Sequence, residues 1–129
     1  MAIVLVVNDD RDMLEVYQAL LSEMGHRAVP RLNLDPDPEE VLRARADALV
    51  IDLQADAHPA AGLEVIEALR KHPATQTMPI VLSTGAANEV KPLQPRLDSL
   101  EVPVLIKPFG TDEFKAVVGR LLPPMNRAD

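Results

Sequence analysis

The chain has 129 residues, which is the length of one ordinary domain, and it carries a formal net charge of −7. That negative charge argues against partners with a phosphate backbone, such as nucleic acids, and against anionic membrane surfaces. The absence of cysteine excludes disulfides, thiolate nucleophiles and thiolate metal sites, and it suits a reducing cytoplasm, where we expect the protein to be located.

The chain opens with an apolar stretch, residues 2–7, that is too short for a signal peptide or a membrane span. It is better explained as a first core strand, Ile3–Val7. A helix is predicted next, because apolar residues recur at helical spacing up to Gly25, which offers a stop. These apolar residues are Met13, Val16, Tyr17, Leu20, Leu21 and Met24.

The signals for the second strand and second helix are weaker. A short strand is expected near residues 27–29 and is broken by Pro30. Asp37 can cap the following helix, with Pro38 in its first position, where the missing N–H has no intrahelical partner to lose.

The second half of the chain continues the alternation of strands and helices. Strands are predicted at residues 47–53, 78–83 and 102–106, and a helix at residues 62–71. The last helix is expected to have Thr111 as its cap, because two acidic residues follow in its first turn. Strands separated by helices, and apolar throughout, predict a parallel sheet covered on both faces.

Residues 90–100 interrupt this regular pattern. Val90, Leu93, Leu97 and Leu100 keep helical spacing, but two prolines lie among them. Proline is tolerated only in the first turn of a helix. We therefore expect the fourth helix to start late and to be short or distorted.

Polar side chains follow four of the five strands at the point where each strand ends. Asn8-Asp9 follow the first strand, Asp52 the third, Thr84 the fourth and Lys107 the fifth. In a parallel sheet these positions meet at one edge, where chemistry usually gathers. Each residue alone has an ordinary explanation as a turn or a strand end, and only their joint occurrence indicates a site. The three histidines show no ligand spacing and are interpreted as surface or turn residues.

This ordered set resembles the response-regulator receiver domains of two-component signalling, and the resemblance covers essentially the whole chain. The segments VLVVNDDRDMLEVYQALL, ALVIDL, GLEVIEALR, PIVLSTG and IKPF are similar to that family. The resemblance implies a flavodoxin-like, doubly wound α/β fold with a five-stranded parallel sheet in the order 2-1-3-4-5. It also implies a receiver domain over residues 1–122, followed by a short tail or linker over residues 123–129.

The resemblance further implies a phosphorylation switch with Asp52 as phosphoacceptor. Mg²⁺ would be held by the carboxylates of Asp9 and Asp52 and by the backbone carbonyl of Gln54, because a cation must offset the repulsion between carboxylates and phosphate. Lys107 would pair with the phosphoryl oxygens, and the Thr84 hydroxyl would be drawn toward them. The donor would be a histidine kinase or a histidine phosphotransfer protein. The output would be a downstream protein partner bound around the fourth strand, fourth helix and fifth strand, with the chain a monomer or weak homodimer.

Three departures from the family pattern stand beside these matches. Asn8 replaces the first acid of the usual pair, so it would reach the metal only through water. The loop after Asp52 is about two residues longer than usual before Gly62. Val104 occupies the output-switch position, where many members carry an aromatic ring, so no ring can act as the switch there.

These departures leave two alternatives to a phosphoacceptor module. One is a degenerate receiver that serves as a phosphorylation-independent interaction domain. The other is a phosphatase with Asp52 as its nucleophile, but the position two residues on holds Gln54 where such enzymes need a carboxylate. The phosphatase is therefore the weakest of the three hypotheses.

Overall fold

The structure, a computed structural model, describes residues 2–53 and 61–122. Its five strands form one sheet in the order β2-β1-β3-β4-β5, and every neighbouring pair is parallel. The strands are β1 (Ile3–Val7), β2 (Arg27–Arg31), β3 (Ala48–Ile51), β4 (Ile80–Thr84) and β5 (Val104–Ile106). The fold class and strand order implied by the sequence are thereby confirmed.

The helices connect successive strands and lie on both faces of the sheet. They are α1 (Arg11–Glu23), α2 (Pro38–Arg43), α3 (Ala61–Lys71), α4 (Ala87–Val90), α5 (Gln94–Ser99) and α6 (Thr111–Leu121), with a 3₁₀ turn at Lys91–Leu93. None of them, among the residues described, is long and apolar enough to cross a membrane.

Acidic side chains cap the first two helices. The Asp10 carboxylate accepts a hydrogen bond from the Asp12 backbone N–H, and the Asp37 carboxylate accepts one from Glu39. The expected cap at Thr111 is wrong by one residue. Gly110 is the cap of α6, because its backbone is extended and its carbonyl already accepts the first helical hydrogen bond, from Phe114.

Two apolar cores are separated by the sheet because successive strand residues point to opposite faces. The core under α1 and α6 includes Val4, Val6, Tyr17, Val50, Val81, Leu105 and Phe114. The core under α2 to α5 includes Leu5, Val7, Leu49, Ile51, Ile66, Leu82 and Leu97. The central strands are therefore buried on both sides, and their polar residues are confined to their ends.

Three local expectations need correction. The second strand continues through Pro30 to Arg31, which is possible because β2 is an edge strand and Pro30 loses no ladder hydrogen bond that a central strand would need. The fifth strand is shorter than expected, since regular pairing begins only at Val104. His26 is buried, at 7% exposure, and its Nδ1 accepts a hydrogen bond from the Ala2 backbone N–H.

The proline-containing segment is short and distorted as expected, but it does not start late. Helical structure begins at Ala87, and the segment is divided into α4, the 3₁₀ turn and α5. Each proline sits in the first turn of the piece that contains it: Pro92 in the 3₁₀ turn and Pro95 in α5. The chain thus satisfies the proline restriction by restarting the helix.

Candidate functional site

Asp52 directly follows β3 and lies at the centre of a group of polar side chains. Its backbone N–H donates to the Val7 carbonyl at 3.2 Å, which fixes it beside the end of β1. Its Oδ2 accepts hydrogen bonds from Lys107 Nζ at 3.1 Å and from Asn8 Nδ2 at 3.4 Å. Only 13% of the Asp52 side chain is exposed. A partly buried carboxylate thus stands at the edge of the sheet where the sequence predicted a site.

Asn8 is held rigidly in this group. It is 1% exposed, and its Oδ1 accepts a hydrogen bond from the Asp10 backbone N–H at 2.9 Å. Its amide nitrogen is therefore directed at Asp52, where an acidic residue would place a second negative charge. Asp9, the next residue, is exposed to solvent.

Thr84 is the last residue of β4, Lys107 directly follows β5, and the two are joined through the backbone. The Lys107 N–H donates to the Thr84 carbonyl at 2.8 Å. The Thr84 side chain is buried, and its Oγ1 accepts a hydrogen bond from the Ala86 N–H at 3.1 Å. The peptide bond between Lys107 and Pro108 is cis. A hydroxyl and an ammonium are thus held at one edge, and the ammonium already contacts Asp52.

The available metal ligands are few. Within residues 2–53 and 61–122, no three side chains of His, Cys, Asp or Glu converge as a metal site. Gln54, whose carbonyl is an expected ligand, lies outside the described residues. Mg²⁺ usually keeps several waters and needs only one or two carboxylates, so Asp52 and Asp9 are the right donor types for it.

Gly62 shapes the site in a way that the sequence did not reveal. Its N–H donates to the Leu53 carbonyl at 2.8 Å, and α3 begins one residue earlier. A Cβ at this position would lie 2.2 Å from the Asp52 backbone oxygen, which no real side chain can do. The glycine therefore lets α3 start directly against the residue that the site depends on. The sequence shows a glycine after the loop, but it does not show that this glycine contacts Asp52.

A buried hydroxyl pair on the other face of the sheet was also missed. The hydroxyls of Tyr17 and Ser83 share a hydrogen bond of 2.5 Å. Burial raises the pKa of the Tyr17 phenol, whereas its hydrogen bond with Ser83 and the positive charge of Lys107 act in the opposite direction. Helical spacing identified Tyr17 as a core residue, but spacing cannot show which group the tyrosine hydroxyl contacts.

Val104, the predicted output-switch residue, is partly buried beside the proline-containing segment. It lines an open groove of about 360 Å³ with residues of α4, the 3₁₀ turn, α5 and β5. The lining residues are Ala87, Val90, Lys91, Gln94, Val104 and Ile106. None of these described residues carries an aromatic ring.

Comparison with known proteins identifies the family to which the chain is similar. The family model described as the response regulator receiver domain matches residues 4–119. No curated protein sequence matches the chain.

Solved structures similar to this one include one response regulator protein and two receiver domains. Response regulator TrrA from Thermotoga maritima, in complex with Mg²⁺-BeF, is 27% identical, with a TM-score of 0.71 and coverage of 95% of this chain and 100% of that one. The receiver domain of sensor histidine kinase PA1611 from Pseudomonas aeruginosa, with magnesium in its active site cleft, is 21% identical, with a TM-score of 0.71 and coverage of 93% and 96%. A signal receiver domain from Clostridium thermocellum is 18% identical, with a TM-score of 0.78 and coverage of 94% and 97%.

Proposed function

Because the chain belongs to the response regulator receiver family, we propose that it is a phosphoacceptor module that receives a phosphoryl group on Asp52. The donor is a histidine kinase or a histidine phosphotransfer protein. The observation that carries the proposal is the position of Asp52 at the end of β3, with Lys107 Nζ 3.1 Å from its Oδ2. A carboxylate in that position is a competent nucleophile. The Lys107 ammonium can exchange its contact with the carboxylate for an ion pair with the incoming phosphoryl oxygens.

The transfer exchanges one phosphorus bond for another. A carboxylate oxygen of Asp52 forms a bond to phosphorus while the bond from phosphorus to the donor's imidazole nitrogen breaks, and the electron pair leaves with the imidazole. Lys107 then separates from the carboxylate and pairs with a phosphoryl oxygen. The Thr84 hydroxyl, whose oxygen accepts the Ala86 N–H in this structure, turns its hydrogen toward another phosphoryl oxygen and donates to it.

Mg²⁺ is the cofactor we propose for this site. Asp9, Asp52 and the Gln54 carbonyl would hold it, with Asn8 contributing through a water molecule. When bound, the cation offsets the repulsion between the carboxylates and the phosphoryl group. The similar structures of TrrA and the PA1611 receiver domain contain magnesium, which supports the same choice here.

The donor would dock on an apolar groove beside Lys107. This groove of about 450 Å³ is lined by Met13, Val16, Lys107, Pro108 and Phe109. Val16 is 44% exposed and therefore contributes apolar surface to this groove. A partner helix lying on α1 there would bring its histidine to the edge of the sheet next to Asp52.

The output face proposed here is the groove around Val104. Displacement of Thr84 toward the phosphoryl group moves the chain that leads into α4. Since α4, the 3₁₀ turn and α5 are short pieces, their arrangement can change at low cost. A downstream protein partner would recognise the changed groove, and the chain itself would act as a monomer or weak homodimer in the cytoplasm.

The test is incubation with acetyl phosphate and Mg²⁺ followed by intact-mass analysis. The protein should gain the mass of one phosphoryl group, Asp52→Asn should gain none, and the exposed control Asp112→Asn should behave as the wild type. Equal labelling of Asp52→Asn would overturn the assignment of the acceptor.

One observation favours a second candidate function, a degenerate receiver that binds its partner without phosphorylation. Asn8 and Lys107 both donate to Asp52 Oδ2, so this carboxylate oxygen already has two hydrogen-bond donors without a metal. Absence of labelling in the wild type, together with unchanged partner binding by Asp52→Asn, would support this candidate over the phosphoacceptor.

A further inference from the structure

Tyr17 lies on the buried face of α1, where apolar packing alone would suffice, yet its hydroxyl makes a polar contact. Its side chain is 1% exposed, and so is Ser83, the residue that shares the 2.5 Å hydrogen bond with it. The contact joins α1 to β4 across the core on the α1 and α6 face of the sheet. Two buried hydroxyls that satisfy each other fix a distance between these elements more sharply than apolar packing does.

Ser83 immediately precedes Thr84, so the contact reaches the phosphoryl site through one peptide unit. Along β4 the two side chains point to opposite faces of the sheet. Thr84 in turn accepts the Lys107 N–H through its carbonyl at 2.8 Å. A hydrogen bond that holds Ser83 therefore also holds the backbone from which the Thr84 hydroxyl and the Lys107 ammonium extend.

Aromatic packing fixes the ring of Tyr17. It stacks on Phe109 with centroids 6.2 Å apart and on Phe114 at 5.7 Å. Phe109 lies two residues after Lys107, so the same stack also restrains the segment that follows β5. The sequence contains one tyrosine, two phenylalanines and no tryptophan, and all three aromatic residues meet in this cluster. The tyrosine hydroxyl is thereby held in one place.

We propose that Tyr17 is a positioning residue of the phosphoryl site, which acts through its hydrogen bond to Ser83 to hold Thr84 and Lys107 in place. The inference rests on the proposed function, because those two residues matter only if Asp52 receives a phosphoryl group. In this chain the buried aromatic hydroxyl that supports Thr84, through Ser83, belongs to Tyr17 of α1. Among the described residues, the groove around Val104, on the opposite side of β4, has no aromatic ring in its lining.

The alternative is that Tyr17 only stabilises the core. A buried hydrogen bond and an aromatic stack both stabilise the folded state, so a loss of activity caused by general destabilisation must be separated from loss of positioning. Tyr17→Phe removes only the hydroxyl and keeps the stack. Ser83→Ala removes the other partner. Val118→Ala removes buried apolar volume from the same core and leaves both hydroxyls intact, and it is the matched control.

The first measurement is the initial rate at which Asp52 is phosphorylated by acetyl phosphate and Mg²⁺. Tyr17→Phe and Ser83→Ala should each lower the rate about three- to tenfold, the size expected when one hydrogen bond is lost. The double variant should be no slower than the slower single variant, because both remove the same contact. Val118→Ala should keep the wild-type rate. A wild-type rate in Tyr17→Phe, or an equal loss in Val118→Ala, would overturn the proposal.

The second measurement does not depend on phosphorylation. Amide hydrogen exchange of Lys107, whose N–H donates to Thr84, should be faster in Tyr17→Phe and Ser83→Ala than in Val118→Ala. If the wild type takes up no phosphoryl group, the proposed function fails, but faster exchange in both hydroxyl variants would still support Tyr17 as the residue that holds these strand ends. Unchanged exchange would overturn the positioning role, whether or not Asp52 is phosphorylated.

Discussion

At the scale of single residues, Asn8 has the largest electrostatic consequence for the site. It replaces a negative charge with an amide that donates to Asp52 Oδ2 at 3.4 Å. Two unit charges about 4 Å apart interact by about 4 kcal/mol at an effective dielectric constant of about 20, which is a ceiling because water screens the site. The amide therefore relieves repulsion at Asp52 while it lowers the attraction of the site for a divalent cation.

We expect Asn8→Asp to bind Mg²⁺ more tightly than the wild type. The same variant should unfold more easily without Mg²⁺, because a buried carboxylate then faces Asp52 with no cation between them. Titration with Mg²⁺ followed by urea unfolding, with and without the metal, measures both effects. Asn33→Asp adds the same charge on an exposed loop residue and serves as the control. Equal affinity in Asn8→Asp and the wild type would mean that residue 8 lies outside the reach of the metal.

His26 gives the protein a pH-dependent contribution to stability. Burial lowers the pKa of its imidazole below the ordinary value, and its Nδ1 accepts a hydrogen bond from the Ala2 N–H, which requires the neutral form. The nearby carboxylate of Asp47 acts in the opposite direction on the pKa. Folding therefore favours the neutral imidazole, and the unfolded chain binds a proton at a higher pH than the folded one does.

The contribution of His26 should be complete above about pH 6.5, the ordinary histidine pKa, and should be lost as the pH falls through the lowered pKa of the folded protein. We expect the free energy of unfolding to fall more steeply between about pH 7.5 and 5 in the wild type than in His26→Gln. Urea unfolding at several pH values measures the difference. His72→Gln is the control for burial, because His72 Nδ1 also accepts a backbone N–H, from Ala74, but at a partly exposed position. Parallel curves for the wild type and His26→Gln would contradict this account.

At the scale of secondary-structure elements, the start of α3 determines the position of Asp52. The helix begins at Ala61, and Gly62 lies where any Cβ would meet the Asp52 backbone oxygen at 2.2 Å. The close approach lets the Gly62 N–H reach the Leu53 carbonyl. A side chain here would push either α3 or the end of β3 out of place, so Asp52 and the helix are structurally coupled.

We expect Gly62→Ala to destabilise the fold by about 1–3 kcal/mol, the usual cost of forcing an extra carbon into a packed site. It should also slow phosphorylation of Asp52. Gly119→Ala is a matched control, because no atom of the described residues lies within 4 Å of a Cβ there and the position is inside α6. That control should be stabilised by up to about 1 kcal/mol through helix propensity. Thermal unfolding and the acetyl phosphate assay measure both variants, and similar behaviour of the two would contradict the proposed close approach.

At the scale of the whole molecule, local stability differs between the two sides of the sheet. The α1 and α6 side has two long helices and the aromatic cluster. On the other side, the chain from α4 to α5 consists of short helical pieces, and among these pieces only Val90 and Leu97 are buried. Neither α4 nor α5 has a side-chain cap. Short, uncapped segments with few anchors open at low free energy.

We therefore expect phosphorylation, or beryllofluoride with Mg²⁺, to change hydrogen exchange most across residues 84–100. A displacement of Thr84 would act on this segment first, because the segment follows Thr84 directly and has few buried anchors. Exchange measured by mass spectrometry in the wild type and in Asp52→Asn would show the pattern and its dependence on the acceptor. A difference confined to residues 54–62 would identify the loop after Asp52 as the signalling element instead.

The sequence by itself determined the layout of the fold and which polar residues lie where the strands end. Apolar runs bounded by polar strand ends are a local pattern, and parallel pairing requires those ends to share an edge. For that reason Asn8, Asp52, Thr84 and Lys107 could all be named in advance, and the strand order followed from the family resemblance.

Only the tertiary structure decided which atoms meet. Thr111 has the chemistry of a cap, yet Gly110 is the cap, because backbone geometry places the first turn one residue earlier. Three contacts could not be read from local patterns because their partners are not neighbours in the chain. They are the hydrogen bond of His26 with Ala2, the close approach of Gly62 to Asp52 and the pairing of Tyr17 with Ser83. Periodicity reports which face of an element is buried, but the partner of a buried polar atom depends on packing distances that no local pattern contains.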